Sequence, residues 1–232
     1  MGYRVKAVIF DQDGLMFDTE RISAEAWCQV GKKYGIEPDN QFFDALKGGN
    51  PQQAKELMKR TFGETFDCDG FLKEKRAYQY RLIEERGVPV KAGLRELLAY
   101  LKAMGCPAAV ATSSSQEWTQ KNVKEAGVEP YFELYTYGSM VERSKPEPEI
   151  FLLTARRLGV KPQECIVLED SFNGVEAGLR GGFLTVMVPD TSFPGPELKE
   201  RLTACCQNLG EVIGLFEKGF FTFAGRGEED GR

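Results

Sequence analysis

No histidine occurs anywhere in the 232 residues. That excludes Ser-His and Cys-His nucleophile pairs and every histidine-containing zinc site. Any catalysis has to use carboxylates, lysine, hydroxyls, a thiol without a histidine partner, or a metal on oxygen ligands, which magnesium prefers. Long apolar runs are also missing, and no stretch approaches the ~20 residues of a membrane span. The apolar "AVIF" behind Arg4 and Lys6 is too short for a signal-peptide core. "MGYRVK" opens like a myristoylation site but carries Lys6 where Ser or Thr is required. A cytoplasmic chain with no anchor is expected. There is no basic stripe: 30 Lys and Arg stand against 35 Asp and Glu, a net charge of −5. "KEKR" at Lys73 to Arg76 is too short for a phosphate-backbone footprint, so nucleic acid is not an expected partner. Cys28, Cys68, Cys106, Cys165, Cys205 and Cys206 are scattered, with no CxxC pair. Reduced thiols serving as small core residues are the expectation.

What is present is an ordinary globular composition, 42% hydrophobic and 28% charged. The chain is long enough for one core, or one core plus a small second module. "RVKAVIF", "CPAAVAT", "ECIVLED" and "FLTVMV" read as buried strands, and "YFELYTY" as a weaker one. Continuous apolar runs fit strands covered on both faces, as in a parallel sheet. "AGLRELLAYLKAMG", "SQEWTQKNVKEAG", "PEIFLLTARRLG" and "NGVEAGLRGG" supply helices between them. This alternation predicts a doubly wound α/β, Rossmann-like core with a parallel sheet.

One segment breaks the alternation. From Thr19 to Arg86 only helical periodicity is found, over Ser23 to Tyr34, Pro51 to Arg60 and Asp69 to Arg86. An insertion this long must pack as its own module. The expected organisation is a core from residues 1–17 and 87–218, an all-helical cap from 18–86, and a disordered tail over 219–232, ending in the polar "GRGEEDGR". Trp27, Phe42, Phe43, Phe62, Phe66, Phe71 and Tyr78 are most simply the cap's own core.

Parallel α/β sheets bind ligands at the carboxyl ends of their strands. There this chain places Asp11 and Asp13, then Thr112 and Ser113, then Glu169 and Asp170, with Lys145 in "RSKPEPE" just before a helix. Each has a bland reading: a turn, a helix cap, a solvated loop. Their joint occurrence at corresponding strand ends favours chemistry. In "DQDGLMFDTE", "ATSS", "SKPEPEIF" and "LEDSFNG", in that order, the chain resembles the haloacid dehalogenase superfamily. The likeness is to its helical-cap branch of small-molecule phosphatases and β-phosphoglucomutases, and runs from Val5 to about Leu215.

The resemblance implies a mechanism. Asp11 would attack phosphorus and form an aspartyl-phosphate. Asp13 would protonate the leaving alkoxide and then deprotonate water. Magnesium would be held by Asp11, the Asp13 backbone carbonyl and Asp170, with Glu169 nearby. Lys145 would neutralise the phosphoryl oxygens and Asp11, and Thr112 and Ser113 would bind the phosphate. The substrate would be a small phosphorylated metabolite. Gly14 allows a tight turn behind the pair. Asp18 resembles a structural position near the core-to-cap hinge, and Glu20 reads as solvated. Lys47, in "LKGGNPQQ", is a candidate substrate contact, while Asn50 and Pro51 read as a helix cap and first helical residue.

Three alternatives stand beside this reading. A β-phosphoglucomutase-type mutase has a histidine near the start of the cap, where Ser23 stands, and a cap-loop arginine, where Pro51 stands. A dehalogenase lacks the aspartate two residues past the nucleophile. A non-catalytic binding protein would be expected to have lost motif residues, and all are present.

Overall fold

The computed structural model describes residues 2–46 and 51–225. In chain order the elements are β1 (Tyr3–Val5), β2 (Ala7–Phe10), α1 (Thr19–Tyr34), α2 (Asn40–Leu46), α3 (Pro51–Phe62), α4 (Cys68–Arg86), α5 (Leu94–Ala103), β3 (Ala108–Thr112), α6 (Gln116–Glu125), β4 (Leu134–Tyr137), α7 (Glu149–Leu158), β5 (Cys165–Glu169), α8 (Phe172–Arg180), β6 (Leu184–Met187), α9 (Pro196–Arg201), β7 (Ala204–Cys205), α10 (Gly210–Glu217) and β8 (Phe221–Phe223). Six strands form a parallel sheet in the order β4-β3-β2-β5-β6-β7.

Every residue of β2, β3, β5 and β6 is buried, because helices cover both faces. Side chains alternate between two cores, as the strand period of two requires. Val8, Phe10, Val110, Ile166 and Leu168 face α5, α6 and α10, where Leu97, Leu101, Val123, Val212 and Phe216 meet them. Ala7, Ile9, Ala109, Ala111 and Val167 face α7 and α8, against Ile150, Phe151, Ala155 and Ala177. The small alanines let α7 lie close to the sheet. This is a doubly wound α/β core. Strand order reverses at β2, which has β3 on one side and β5 on the other. The crevice at such a switch point is where open sheets bind ligands.

Between β2 and α5 the described residues build four helices with their own apolar cluster. Trp27 sits at its centre, 4.9 Å from Phe42 and 4.5 Å from Phe71, centroid to centroid. Phe43, Phe62, Phe66 and Tyr78 pack around it. The helix α2 was not expected from the periodicity. Its signal was Asp39, whose Oδ1 accepts the Phe42 N–H at 2.8 Å, a side-chain cap before "NQFFDAL". The two segments that join cap and core run side by side. Phe17 and Val90 form an antiparallel bridge. Asp18 N donates to Pro89 O at 2.8 Å, and Lys91 N to Met16 O at 3.0 Å.

Two expectations need correction. The single strand expected over Arg4 to Phe10 is two strands, broken at Lys6. There the backbone N–H turns to Glu164 O at 2.7 Å, and the ammonium pairs with the Glu164 carboxylate at 2.8 Å. The disordered tail expected over 219–232 instead contributes β8, which pairs in parallel with β1. Its "FTF" puts Phe221 inward, 1% exposed, against Phe216 at 5.5 Å. The polar stretch 226–232 lies outside the described residues. The Phe221→Ala variant is expected to cost about 3–5 kcal/mol of stability, measured by urea unfolding. A change under 1 kcal/mol would mean that β8 adds nothing to the core.

Candidate active site

Asp11 follows β2 directly, and its N–H donates to Leu168 O at 3.1 Å, which ties it to the adjacent strand β5. Glu169 ends β5, Thr112 ends β3, and Lys145 arrives from the loop before α7. The ends of β2 and β5 and the loop deliver four charged side chains to one buried point: Asp11 is 7% exposed, Lys145 2%, Glu169 0% and Asp170 7%. Lys145 Nζ donates to Asp11 Oδ1, to Glu169 Oε1 at 2.6 Å and to the Ala111 carbonyl at 3.5 Å. The other Glu169 oxygen accepts from Asp170 N, Ser171 N and Ser171 Oγ, all at 3.0 Å. Glu169 is thus fully engaged as the anchor of Lys145.

Carboxylate oxygens of Asp11, Glu169 and Asp170 lie within 4.8 Å of one another. Three carboxylates face one ammonium, and the excess is negative. Burial pushes the Asp11 carboxyl up to about 8, against the Lys145 charge and with the help of Glu169 and Asp13. Burial, then Glu169 and Asp11, push Asp170 well above its ordinary value. Lys145 loses by burial, but the charges of Asp11 and Glu169 outweigh that and hold it above its ordinary value. Asp170 Oδ1 is buried with no hydrogen-bond partner among the described residues. An orphaned carboxylate oxygen beside excess negative charge fits an oxygen-ligated divalent cation. The residues that would hold it are Asp11 and Asp170. Gly14 has φ +90°, and a Cβ there would lie 2.3 Å from Asp170 Oδ2, so only glycine lets the turn close over this carboxylate.

Asp13 points away from that cluster. Its Oδ1 accepts from Thr19 Oγ1 at 2.6 Å and Trp118 Nε1 at 3.0 Å. Its Oδ2 accepts from Ser114 Oγ at 2.7 Å and Gln12 Nε2 at 3.2 Å. The "TSSS" run serves two ends at once. Thr112 Oγ1 accepts from Ser114 N at 3.0 Å, and Ser115 caps α6 by accepting from Trp118 N at 3.3 Å.

Above these residues is a cavity of about 280 Å³ between core and cap. Asp11, Asp13, Thr112, Ser113, Lys145, Glu169 and Asp170 all line it. Among the expected residues, Lys47 and Asn50 lie outside the described residues. Glu20, read as solvated, also lines the cavity, because α1 begins one residue earlier and carries it inward. The cap side adds Ser23 from α1 and Lys75, Arg76 and Gln79 from α4. Lys75 Nζ stands 5.5 Å from the Trp27 ring centroid, and burial pulls its ammonium down to about 8 despite Glu20 and Asp13. Sequence reasoning missed Thr19, Ser114, Trp118 and Lys75. Thr19 and Ser114 sit inside motifs already singled out, but Trp118 and Lys75 read only as one apolar and one charged helix position.

Residues 5–182 match the model of the haloacid dehalogenase-like hydrolases, and the chain belongs to that family of enzymes. It is 31% identical to the phosphorylated carbohydrates phosphatase of Thermotoga maritima, over 77% of this chain and 82% of that one. It is 31% identical to hexitol phosphatase A of Escherichia coli, over 90% of this chain and 99% of that one. The fold matches a β-phosphoglucomutase from Clostridium difficile with a TM-score of 0.79 and 23% identity, covering 93% of this chain and 97% of the other.

A prediction follows from the charge excess. A carboxyl raised from 3.8 to about 8 holds its proton more tightly folded than unfolded. It therefore opposes folding increasingly as pH rises from about 4 to about 8. In EDTA the melting temperature is expected to fall across that window. Saturating magnesium is expected to raise it more at pH 8 than at pH 5. Equal rises at both pH values would count against Asp11 and Asp170 as the ligand pair.

Proposed function

We propose that the chain is a magnesium-dependent phosphatase that hydrolyses a small phosphorylated carbohydrate or polyol through an aspartyl-phosphate on Asp11. The observation that carries this reading is the buried group of three carboxylates and one lysine at the sheet's switch point, open to a polar cavity. Bound there, magnesium would supply positive charge against the phosphoryl oxygens.

The chain's own residues account for the remaining steps. A carboxylate approaching a phosphate at ~4 Å meets ~1 kcal/mol of repulsion per charge pair in water and ~4 kcal/mol in a partly dry site. Lys145 offsets part of this and fixes Asp11 through one oxygen, which leaves the second free to attack. Thr112 Oγ1 accepts from Ser114 N, so its own O–H is directed elsewhere and can donate to a phosphoryl oxygen. As the ester P–O bond breaks, the bridging oxygen takes a proton from Asp13. The resulting carboxylate then takes a proton from the water that attacks the aspartyl-phosphate, releasing inorganic phosphate and restoring Asp11. Such acid–base assistance contributes about 10²–10⁴ in rate.

The substrate side of the proposal rests on the cavity's size and cap wall. About 280 Å³ suits a small metabolite. Ser23, Gln79 and Lys75 offer hydrogen bonds to hydroxyls. The phosphorylated-carbohydrate and hexitol phosphatases among the relatives support the same class. Hydrolysis is favoured over phosphate relocation because the chain has no histidine and carries Ser23 in the cavity wall.

The test is phosphate release from a panel of hexose and hexitol phosphates, phosphoglycolate and nucleotides, with magnesium or EDTA. Hexose or hexitol phosphates are expected to lead the panel, and EDTA to abolish release. The Asp11→Asn variant is expected to lose at least about 10³-fold in kcat, as loss of a nucleophile does. Undiminished turnover by that variant would overturn the mechanism. Isomerisation of β-glucose 1-phosphate without phosphate release would overturn the assignment as a phosphatase. Separately, Lys145→Met, which strands Asp11 and Glu169, is expected to lower kcat by about 10²–10³-fold while KM changes less.

A further inference from the structure

We propose that Trp118 is a positioning residue for the acid–base carboxylate of Asp13, a role that rests on the phosphatase reading above. Four donors surround Asp13, and they are of two kinds. Thr19 and Ser114 present hydroxyls, at 2.6 and 2.7 Å. A hydroxyl can turn from donor to acceptor when the carboxyl gains or passes a proton. Trp118 Nε1, at 3.0 Å, is a donor only. Gln12 also donates, at 3.2 Å, but through a side chain whose amide oxygen is buried without a partner among the described residues. Each Asp13 oxygen therefore has one adaptable hydroxyl and one N–H. The indole is the rigid contact among the four, and it fixes the carboxyl plane while the hydroxyls follow the proton.

Trp118 is itself held firmly. Its backbone N–H is bonded to the Ser115 cap at 3.3 Å, and it is only 8% exposed. Tyr80, on cap helix α4, packs on its ring at 5.3 Å between centroids. The catalytic carboxylate is thus braced from the core helix α6, and that brace is backed by the cap. A carboxylate left to rotate would still accept protons, but it would present them to the bridging oxygen in fewer of its orientations.

The experiment compares Trp118→Phe with wild type on two esters in magnesium: glucitol 6-phosphate and p-nitrophenyl phosphate. The alkoxide of the first needs a proton as the P–O bond breaks; the nitrophenolate of the second does not. The parameter read is kcat/KM, which reports the steps through cleavage of that bond. For the alkyl ester kcat/KM is expected to fall about tenfold or more, mainly in kcat, while for the aryl ester it stays within about threefold. The aryl ester also shows that the variant is folded. Asp13→Asn, run beside it, is expected to show the same selectivity more strongly. Equal losses on both esters, or none on either, with Asp13→Asn still selective, would overturn the role of Trp118 and leave the phosphatase reading standing. An unselective Asp13→Asn, or a wild-type protein that turns over neither ester, would overturn the acid–base reading and the Trp118 role with it.

Discussion

The buried lysine between two carboxylates is the constraint around which the rest of the site is arranged. Lys145 ties the end of β2 to the end of β5 through Asp11 and Glu169. It comes from a third segment, so one ammonium pins three parts of the chain. An ion in a dry interior is tolerated only with near-complete hydrogen bonding. The Glu169 oxygens meet that demand with Lys145, two backbone N–H groups and the Ser171 hydroxyl. Local sequence is shaped to suit: a Cβ on Gly174 would fall 1.7 Å from Glu169 Oε1, so the first turn of α8 closes only around a glycine.

The two aspartates after β2 have opposite surroundings. Asp11 faces like charges with Lys145 as its cationic partner, so its surroundings are short of positive charge. Asp13 is two residues on, on the other side of the turn, with four neutral donors. On a regular strand residues two apart would share a face, but β2 ends at Phe10, so the two aspartates lie in the turn beyond it, and Gly14 then turns the chain away. On the proposed mechanism, one short segment would therefore carry a nucleophile and a proton carrier without the two sharing an environment.

Legibility in the sequence followed the range of the interactions. Asp11, Asp13, Thr112, Glu169 and Asp170 were readable because each stands at the end of an apolar run. Lys145 was readable from its motif. The α/β alternation and the helical insertion were equally plain, since buried strands and amphipathic helices differ in period. Trp118 was not, because its apolar ring satisfies the helix pattern whether or not its N–H has work to do. Lys75 looked like any charge on an exposed helix face until the cap folded it over the cavity. The break at Lys6 and the strand at Phe221 were hidden for a related reason. Each depends on a partner far away in the chain, Glu164 for one and Tyr3–Val5 for the other.

The crossing between core and cap uses backbone groups, at Asp18 with Pro89, Lys91 with Met16, and Phe17 with Val90. Backbone bonds are indifferent to side-chain identity. The helices beyond this crossing have their own apolar cluster around Trp27, so the residues of that cluster can be rewritten without unpicking the sheet. Heritable variation in what the cavity admits is thereby separated from variation in the bond-breaking machinery. On the phosphatase reading proposed above, changes around Trp27 would alter which leaving group the cavity admits while the phosphoryl end stays fixed. Positions such as Tyr80, where a cap ring rests on a core side chain, and Ile22, Leu82 and Ile83, which join the core's apolar cluster, link the two histories.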